Sequence, residues 1–349
     1  MKRLMAAGAL ALLSGCATLE YYAQAVEGHL EVMRSAVPIE AQIRDPGTPK
    51  TLREKLERVL AIREFATREL ALPDNGSFRS YADLGRPFAL WNVFAAPEFS
   101  VTPVQSCFLF AGCVAYRGFY SERDARDAAT ELGRRGYDVF VGGVPAYSTL
   151  GWFEDPVLST YIRYPDTEVA RIIFHELAHQ VVYVKDDTEF NESFAAAVED
   201  EGVRRWLEAN GTPAQLWSYE HLRSIRRDFA ALVLKYRGRL EEFYARTATP
   251  DEKRAGKRRL FSDMEDEYRG LRTAWGGFSG YDRLFSEGVN NATLAAVATY
   301  TGLVPAFRAL LAREHGDLPA FYGAVRALAR SSRSERDAQL AVLRKTALN

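Results

Sequence analysis

The sequence is poor in several residue types that define common protein classes. Only three of its 349 residues are cysteine and five are histidine. The formal net charge is −1, so the chain has no excess of positive charge and a nucleic-acid partner is not expected. Its basic runs are interleaved with acids, as on solvated helix faces. We find no internal repeat or long low-complexity linker, and beyond the N-terminal segment no stretch that is long and apolar enough to cross a membrane.

Two of the five histidines belong to an HExxH pentapeptide at residues 175–179, within an apolar, helix-compatible run. On a helix, residues four apart lie on the same face. His175 and His179 can therefore bind one metal ion, and Glu176 can reach a water bound to that ion. The alternative is two packed histidines with an unrelated acid between them. Composition alone rarely produces this pattern when histidines are so few.

A catalytic zinc ion usually has three protein ligands and one open position. The pattern HExxHxxGxxH would place glycine at 182 and histidine at 185, but the chain has Val182 and Lys185 there. A third histidine of that kind is therefore excluded, and a nearby acid is the better candidate. The candidates are Asp186, Asp187, Glu189, Glu192, Glu199, Asp200 and Glu201.

A helical hairpin is predicted around the turn that follows the pentapeptide. The first helix should run from about residue 167 to 184. Residues 185–188 then read as a turn, in which Asp187 or Thr188 caps a second helix. Folded back on the first, the second helix would lie antiparallel to it.

Distance along this hairpin selects Glu192 as the third ligand. His179 lies five residues before the end of the first helix and Glu192 five residues after Asp187, so both are about 7.5 Å from the turn. Glu199 overshoots the level of His179 by roughly 10 Å, which suits a role behind the ligands or at the surface. The alternative for Glu192 is a solvated carboxylate on a helix face.

These residues carry a resemblance to known families. HExxH followed by a downstream Asn-Glu-x-x-Ala helix resembles the gluzincin zinc peptidases. Four wider segments, 112–120, 146–153, 174–180 and 185–195, resemble a bacterial family of zinc aminopeptidases, with Tyr300 and the segment 290–292 near the end of the similarity. The resemblance implies one Zn²⁺ ion bound by His175, His179 and Glu192, with Glu176 as the general base and a peptide as the substrate.

An edge strand above the metal would hold a peptide substrate by main-chain pairing. The best candidate segment is Tyr147, Ser148, Thr149, Leu150 and Gly151, where the glycine would let the substrate backbone come close. Glu154 and Asp155 follow, and an enzyme that trims N-termini needs such an anion for the free α-ammonium group. Their alternative is a pair of acids in the turn before Pro156.

Three tyrosines are candidate donors to the oxyanion that develops at the scissile carbonyl. They are Tyr116, Tyr147 and Tyr300. The alternative for each is a tyrosine whose ring packs in the core.

The N-terminus resembles a bacterial lipoprotein signal. A short basic start and an apolar stretch precede Leu13-Ser14-Gly15-Cys16, which predicts removal of residues 1–15 and a lipid on Cys16. Ala17 rather than Asp favours the outer membrane. We therefore expect an envelope protein that is anchored in the outer membrane and faces the periplasm. The alternatives are an ordinary secretory signal or an uncleaved anchor.

The two remaining cysteines, Cys107 and Cys113, are an even pair that can form a disulfide in an oxidising compartment. The alternative is two buried free thiols. Neither lies near a plausible catalytic base in sequence, which argues against a cysteine nucleophile.

The order of predicted elements indicates an α+β fold of the zincin kind, with a small, mostly antiparallel sheet before a largely helical C-terminal half. Predicted elements include helices over 21–72 broken near 44–47 and a helix over 121–135 with Ser121 as its candidate cap. A strand is predicted over 137–141, ending at the glycine pair Gly142-Gly143. The predicted parts are a signal at 1–15, a helical segment at 16–75, a catalytic core at 76–210 and a helical lobe at 211–349.

The expected function is zinc-dependent peptide hydrolysis, with an aminopeptidase as the leading interpretation. Within enzymes, the rival interpretation is an envelope endopeptidase or an amidase acting on cell-wall peptides. Outside enzymes, the rivals are a lipoprotein scaffold with a structural metal and a partner-binding module with a relic site. Structural zinc is usually bound by four ligands rich in cysteine, and no cysteine lies near this motif.

Overall fold

The computed structural model describes residues 21–108 and 112–348. The predicted signal peptide and Cys16 lie outside the described residues. Helices dominate the fold and small sheets of two or three strands accompany them, so the α+β prediction is confirmed. The sheet prediction was too simple, because the described strands form three separate small sheets.

The N-terminal part is mostly helical. Its elements are helix α1 over 21–35, strand β1 at Ala36–Pro38, and helices α2 at Ile39–Arg44 and α3 at Lys50–Arg68. The chain turns between α2 and α3, where the Asp45 carboxylate accepts a hydrogen bond from Gly47 N at 2.9 Å. This is the break that the sequence predicts near 44–47.

The central part holds the remaining strands and one helix. The strands are β2 (Ser80–Ala82), β3 (Leu90–Pro97), β4 (Ser106–Phe108), β5 (Gly112–Val114), β6 (Arg117–Phe119), β7 (Tyr137–Val144) and β8 (Val157–Leu158), and the helix is α4 (Glu122–Arg134). Strand β3 lies between β6 and β7 and pairs antiparallel with both. Strand β2 pairs antiparallel with β1 but parallel with β8, and β4 pairs with β5.

Two local predictions in this part can be compared with the structure. Helix α4 begins after Ser121, whose hydroxyl accepts a hydrogen bond from Asp124 N at 3.3 Å, as the capping pattern predicts. Strand β7 does not stop at the glycine pair but runs through it to Val144. A Cβ on Gly143 would lie 2.3 Å from the Phe88 ring, so the glycine lets this ring pack directly on the strand.

The C-terminal part of the described chain is helical. Its helices are α5 (Asp166–His179), α6 (Thr188–Asn210), α7 (Pro213–Tyr244), α8 (Pro250–Ala274), α9 (Asp282–Ser286), α10 (Asn291–Thr301), α11 (Val304–Arg313), α12 (Leu318–Arg330) and α13 (Arg333–Leu348). Helix α5 packs on α6, α7 packs on α8, and α11 packs on α13.

The largest core holds α5 and α6 in place. Phe174, Phe190, Phe194, Phe307 and Phe321 are all fully buried there and join α5 and α6 to α11 and α12. This core includes residues from α1 to α13, so it crosses the predicted boundaries after residues 75 and 210. The division into parts stays a prediction. A smaller cluster packs α10 against β3, and α10 also packs against α6.

One described segment, Asn291–Arg313, is apolar and long enough to span a membrane by length and composition, which the sequence patterns did not predict. It comprises α10 and α11, and 56% of its most apolar window is buried inside the protein. Core helices pass the same test, so the segment is weak evidence for a span.

Candidate metal centre

Helix α5 carries His175, Glu176 and His179. Its first turn contains Asp166 and Glu168, whose charges favour the N-terminal end of a helix. One face of the helix, which includes Val169, Ile173 and Leu177, is buried in the core. The two histidine rings stand next to each other, with their centroids 4.8 Å apart.

The predicted end of this helix near Val184 is wrong, because α5 ends at His179. The reason lies in α6. The Asn191 side chain accepts a hydrogen bond from Val184 N at 2.7 Å and donates one to Val184 O at 2.8 Å. These bonds hold the backbone of Val184 away from helical pairing and fold the connection between the helices against α6.

The start of α6 is fixed by Asp187. Its Oδ1 accepts a hydrogen bond from Phe190 N at 3.2 Å, which makes Asp187, rather than Thr188, the cap of this helix. Its Oδ2 accepts two hydrogen bonds from Arg336 of α13, at 2.6 and 3.0 Å. Both side chains are buried, with 5% and 8% of their surfaces exposed. Asp187 and Arg336 thus set the position of the helix that carries Glu192.

The three predicted ligands come together in space. Glu192 Oε2 lies 3.2 Å from His175 Nε2 and 3.7 Å from His179 Nε2. One ligand atom from each residue lies within 4.8 Å of the other two. Tetrahedral ligands of zinc, at bond lengths of about 2.0–2.2 Å, are separated by about 3.3–3.5 Å. The two distances from Glu192 to the imidazoles are close to this separation, and the ligand atoms of the cluster are at most 4.8 Å apart. The donor set therefore suits zinc in chemistry, and the side chains would have to move closer together around an ion.

Glu199 orients the first histidine. Its Oε2 accepts a hydrogen bond from His175 Nδ1 at 2.8 Å, which leaves His175 Nε2 to face Glu192. Arg171 donates to both oxygens of Glu199, at 3.1 and 3.2 Å, and pairs also with Glu168. Glu199 is thus behind the ligands rather than at the surface, one of the two positions that the sequence allowed.

The second histidine is held differently. His179 Nδ1 is buried and has no hydrogen-bond partner within the described residues. Its ring is fixed by its place at the end of α5 and by the neighbouring ring of His175. The two imidazoles are therefore not equivalent, because a carboxylate supports one of them and no described group supports the other.

Burial and neighbouring charges give the ionisable groups of the site very different pKa values. Burial lowers the pKa of His179 to about 4, so this ring is neutral at pH 7. Burial alone would also lower the pKa of His175, but hydrogen bonds to Glu192 and Glu199 outweigh it and raise that pKa to about 10. Burial opposes ionisation of Glu192 as well, yet the two histidines bring its pKa below the ordinary value.

Glu176 differs from the other carboxylates in the site. Burial is the main reason that its pKa rises to about 8; the charge of His175 lowers it, and the charges of Glu192 and Asp155 raise it further. No hydrogen bond from the described residues holds its carboxylate, so the group is free to take and release a proton. A carboxylate with a pKa near neutrality is suited to general acid and base chemistry.

The candidate substrate segment does not form the predicted strand. Residues 147–151 are a loop, in which Leu150 and Gly151 have φ values of 58° and 81°. Asp155 explains this conformation, because its Oδ2 accepts a hydrogen bond from Thr149 N at 2.9 Å and lies 3.5 Å from the Ser148 hydroxyl. These bonds tie the segment back on itself and prevent extended pairing.

The two acids predicted to hold an α-ammonium group lie in different environments. Glu154 is exposed, whereas Asp155 is only 2% exposed and holds the loop together. Oδ1 of Asp155 has no hydrogen-bond partner among the described residues. The role of either acid towards a substrate stays a prediction.

Two of the three candidate tyrosines lie near the ligands. Burial raises the pKa values of Tyr116 and Tyr300 well above the ordinary range, and the charges of Glu192 and Glu176 add to this effect. Tyr147 instead bonds to His29, at 3.0 Å from its Nδ1. The structure thus separates Tyr147 from the other two candidates.

The sequence patterns missed two tyrosines near the site. After burial, the charge of Glu192 is the main influence that raises the pKa of Tyr183. Tyr161 is fully buried, and after burial the charge of Glu176 is the main influence that raises its pKa. A signal was present for Tyr183, because it follows His179 by four residues. Nothing in the sequence pattern indicates Tyr161.

Cys107 and Cys113 are joined by a disulfide across strands β4 and β5. Cys113 N donates a hydrogen bond to Asp186 Oδ1 at 2.5 Å. The disulfide-bonded hairpin therefore contacts the connection between α5 and α6, which joins the two helices that carry the candidate metal ligands.

The chain matches a known protein family over most of its length. The model of a family described as "Putative aminopeptidase" matches residues 20–340, which is 321 of the 349 residues. No curated protein and no solved structure matches the chain.

Proposed function

The chain belongs to the family described as putative aminopeptidases, and on that premise we propose that it is a zinc-dependent aminopeptidase of the zincin kind. In this proposal His175, His179 and Glu192 bind one zinc ion, and Glu176 is the general base. The observation that carries the proposal is the convergence of two imidazoles and one carboxylate beside a carboxylate that no described hydrogen bond holds.

A bound zinc ion would supply Lewis acidity, which makes water more acidic and polarises a carbonyl group. The Glu176 carboxylate takes one proton from the attacking water while the oxygen of that water bonds to the scissile carbonyl carbon. When the C–N bond breaks, Glu176 returns this proton to the leaving nitrogen. Atoms balance, because one water molecule is added across one peptide bond.

Tyr116 and Tyr300 are the proposed donors to the carbonyl oxygen as it gains negative charge. Both hydroxyls are protonated at neutral pH, because burial and the nearby carboxylates raise their pKa values. A protonated phenol can donate one hydrogen bond to an oxyanion. Glu192, which shares the site, is ionised at the same pH and cannot donate.

Aminopeptidase action can be tested with one peptide in two forms. The purified chain is incubated with a free-amine peptide and with its N-acetylated copy, each with and without a chelator. We expect chelator-sensitive release of the first residue from the free-amine peptide and no cleavage of the acetylated copy. Equal cleavage of both copies would overturn the exopeptidase assignment in favour of an endopeptidase, and cleavage that resists the chelator would overturn the metal assignment.

We also propose that the protein is lipid-anchored through Cys16 in the bacterial outer membrane and faces the periplasm. The Leu-Ser-Gly-Cys segment at 13–16 supports the anchor. The disulfide between Cys107 and Cys113 suits an oxidising compartment. The mass of the mature N-terminal peptide tests this proposal, since an acylated Cys16 is expected and an unmodified residue at that position would contradict it.

A further inference from the structure

The described residues expose several large apolar side chains, and five of these lie on α1, on β1 and in the loop that contacts α1. Val26, Leu30, Val37, Trp152 and Phe153 have exposed fractions of 58%, 40%, 41%, 79% and 52%. Val26 and Leu30 lie on α1 and Val37 lies on β1, whereas Trp152 and Phe153 belong to the loop before β8. Where exposed apolar side chains adjoin one another, they mark a surface that contacts another protein or a membrane.

Helix α1 turns one face inward and this apolar face outward. Inward, Gly28 lies so close to Tyr120 that a Cβ would come within 2.2 Å of its ring, and Val32 is fully buried. Val26 and Leu30, four residues apart, lie on the opposite face. The exposure of these two side chains is therefore fixed by how the helix packs.

The loop with Trp152 and Phe153 adjoins α1. The ring of His29 lies 4.6 Å from the ring of Phe153, and its Nδ1 lies 3.0 Å from the Tyr147 hydroxyl. Hydrogen bonds tie the loop to itself, since Thr149 Oγ1 pairs with the backbone of Phe153 and Trp152 N donates to Thr149 O. The two aromatic rings are thus presented from an ordered turn next to the helix.

We propose that Val26, Leu30, Val37, Trp152 and Phe153 form a membrane-docking face that enters the interfacial layer of the bilayer in which Cys16 is anchored. Only four residues separate Cys16 from Tyr21 at the start of the described helix. Five extended residue steps reach at most about 18 Å, so a lipid on Cys16 would hold the start of α1 within that distance of the bilayer surface.

The chemistry of the face indicates apolar insertion rather than attraction to anionic lipids. Glu27, Glu31 and Arg34 are the exposed charged side chains of α1, so the helix carries no cluster of positive charge. Trp side chains are favoured at the level of lipid headgroups, and Phe side chains accompany them on the apolar faces of segments that lie in the membrane interface. A zwitterionic bilayer is therefore the expected partner.

Tryptophan fluorescence can test this inference on the full processed protein in phosphatidylcholine vesicles, with and without brominated acyl chains. Three of the five tryptophans are nearly buried, and Trp152 and Trp217 are 79% and 69% exposed. Brominated lipid should quench the wild-type protein, and Trp152→Ser should remove most of that quenching. Trp217→Ser, an equally exposed change on α7, is the matched control and should keep it.

Several outcomes would overturn the inference. One is that brominated lipid fails to quench the fluorescence of the wild-type protein, and another is that Trp152→Ser leaves the quenching unchanged. A third is that both variants lose the same share of the quenching. If quenching is absent and Trp152→Ser instead abolishes a dimer seen by light scattering, the face is a contact between two copies. The inference rests on the proposed anchor and not on the catalytic site. Peptide cleavage and the mass of the N-terminal peptide, measured on the same preparation, report those two proposals separately.

Discussion

Glu199 accepts a hydrogen bond from His175 Nδ1 at 2.8 Å, and this contact decides which nitrogen of the ring faces the metal site. A carboxylate can only accept, so Nδ1 carries a hydrogen and Nε2 points to Glu192. A buried carboxylate behind a histidine fixes the ring and raises its basicity. Helix α6 therefore contributes twice to the proposed zinc site, because Glu192 is a candidate ligand and Glu199 supports the candidate ligand His175.

We predict that Glu199→Ala lowers zinc affinity by about 10–100-fold, because His175 loses the group that orients it. Glu199→Gln should fall between this variant and the wild type, since an amide oxygen still accepts from Nδ1 but lacks the charge. Competition with a fluorescent chelator measures the affinities. Glu201→Gln is the control, because this carboxylate pairs with arginines on its own helix. Wild-type affinity in Glu199→Ala would contradict the assigned role.

The general base is tested by Glu176→Gln. The amide keeps the size of the side chain but cannot take a proton from water, so kcat should fall by about 10²–10⁴-fold. Zinc content should stay at one ion per chain, because Glu176 is not among the three converging ligands. Metal analysis and peptide hydrolysis on the same sample make the comparison. Turnover at the wild-type rate would show that another group is the base.

Much of the site could be predicted because the signals were local. The spacing of His175 and His179 needs only the helical repeat, and Asp187 is a cap whose partner is three residues away. Glu192 followed from counting residues outward from the turn. That count assumed a helix that reached Val184, so the level of the ligands was predicted from a helix end that is wrong.

The rest depends on contacts between residues far apart in the chain. Asp155 bends the 147–151 segment into a loop, and the parallel pairing of β2 with β8 joins strands some 75 residues apart. Arg336 reaches Asp187 from the last helix. No local pattern reports such contacts, because each side chain could equally well lie at the surface.

The buried pair of Arg336 and Asp187 should matter for stability. Arg336→Met leaves the Asp187 carboxylate buried without its charged partner, so the free energy of unfolding should fall by about 3–5 kcal/mol. Urea denaturation followed by circular dichroism measures this loss. Arg333→Met is the control, because its side chain is 63% exposed and its ion pair is worth less than about 1 kcal/mol.

A second variant separates the charge from the packing of that pair. In Asp187→Asn combined with Arg336→Met, no charge is left unpaired, and a neutral amide still caps α6. The double variant should therefore be more stable than Arg336→Met alone. If both were equally unstable, the loss would come from the packing of Arg336 on Phe190 and not from the ion pair.

The pH dependence of zinc binding should report a single histidine proton. The pKa of His175 is raised to about 10 by its two carboxylate partners, against the effect of burial, and burial lowers that of His179 to about 4. Between about pH 6 and 8, therefore, only His175 must lose a proton before its Nε2 can bind zinc.

The Glu176→Gln variant is the right background for this measurement, because it removes a carboxyl group whose pKa is about 8. In that variant zinc affinity should rise about tenfold per pH unit across this range. Two histidines with ordinary pKa values near 6.5 would instead give an affinity that levels off above about pH 7. Chelator competition at several pH values distinguishes the two curves, and a plateau above pH 7 would show that Glu192 and Glu199 do not keep His175 protonated.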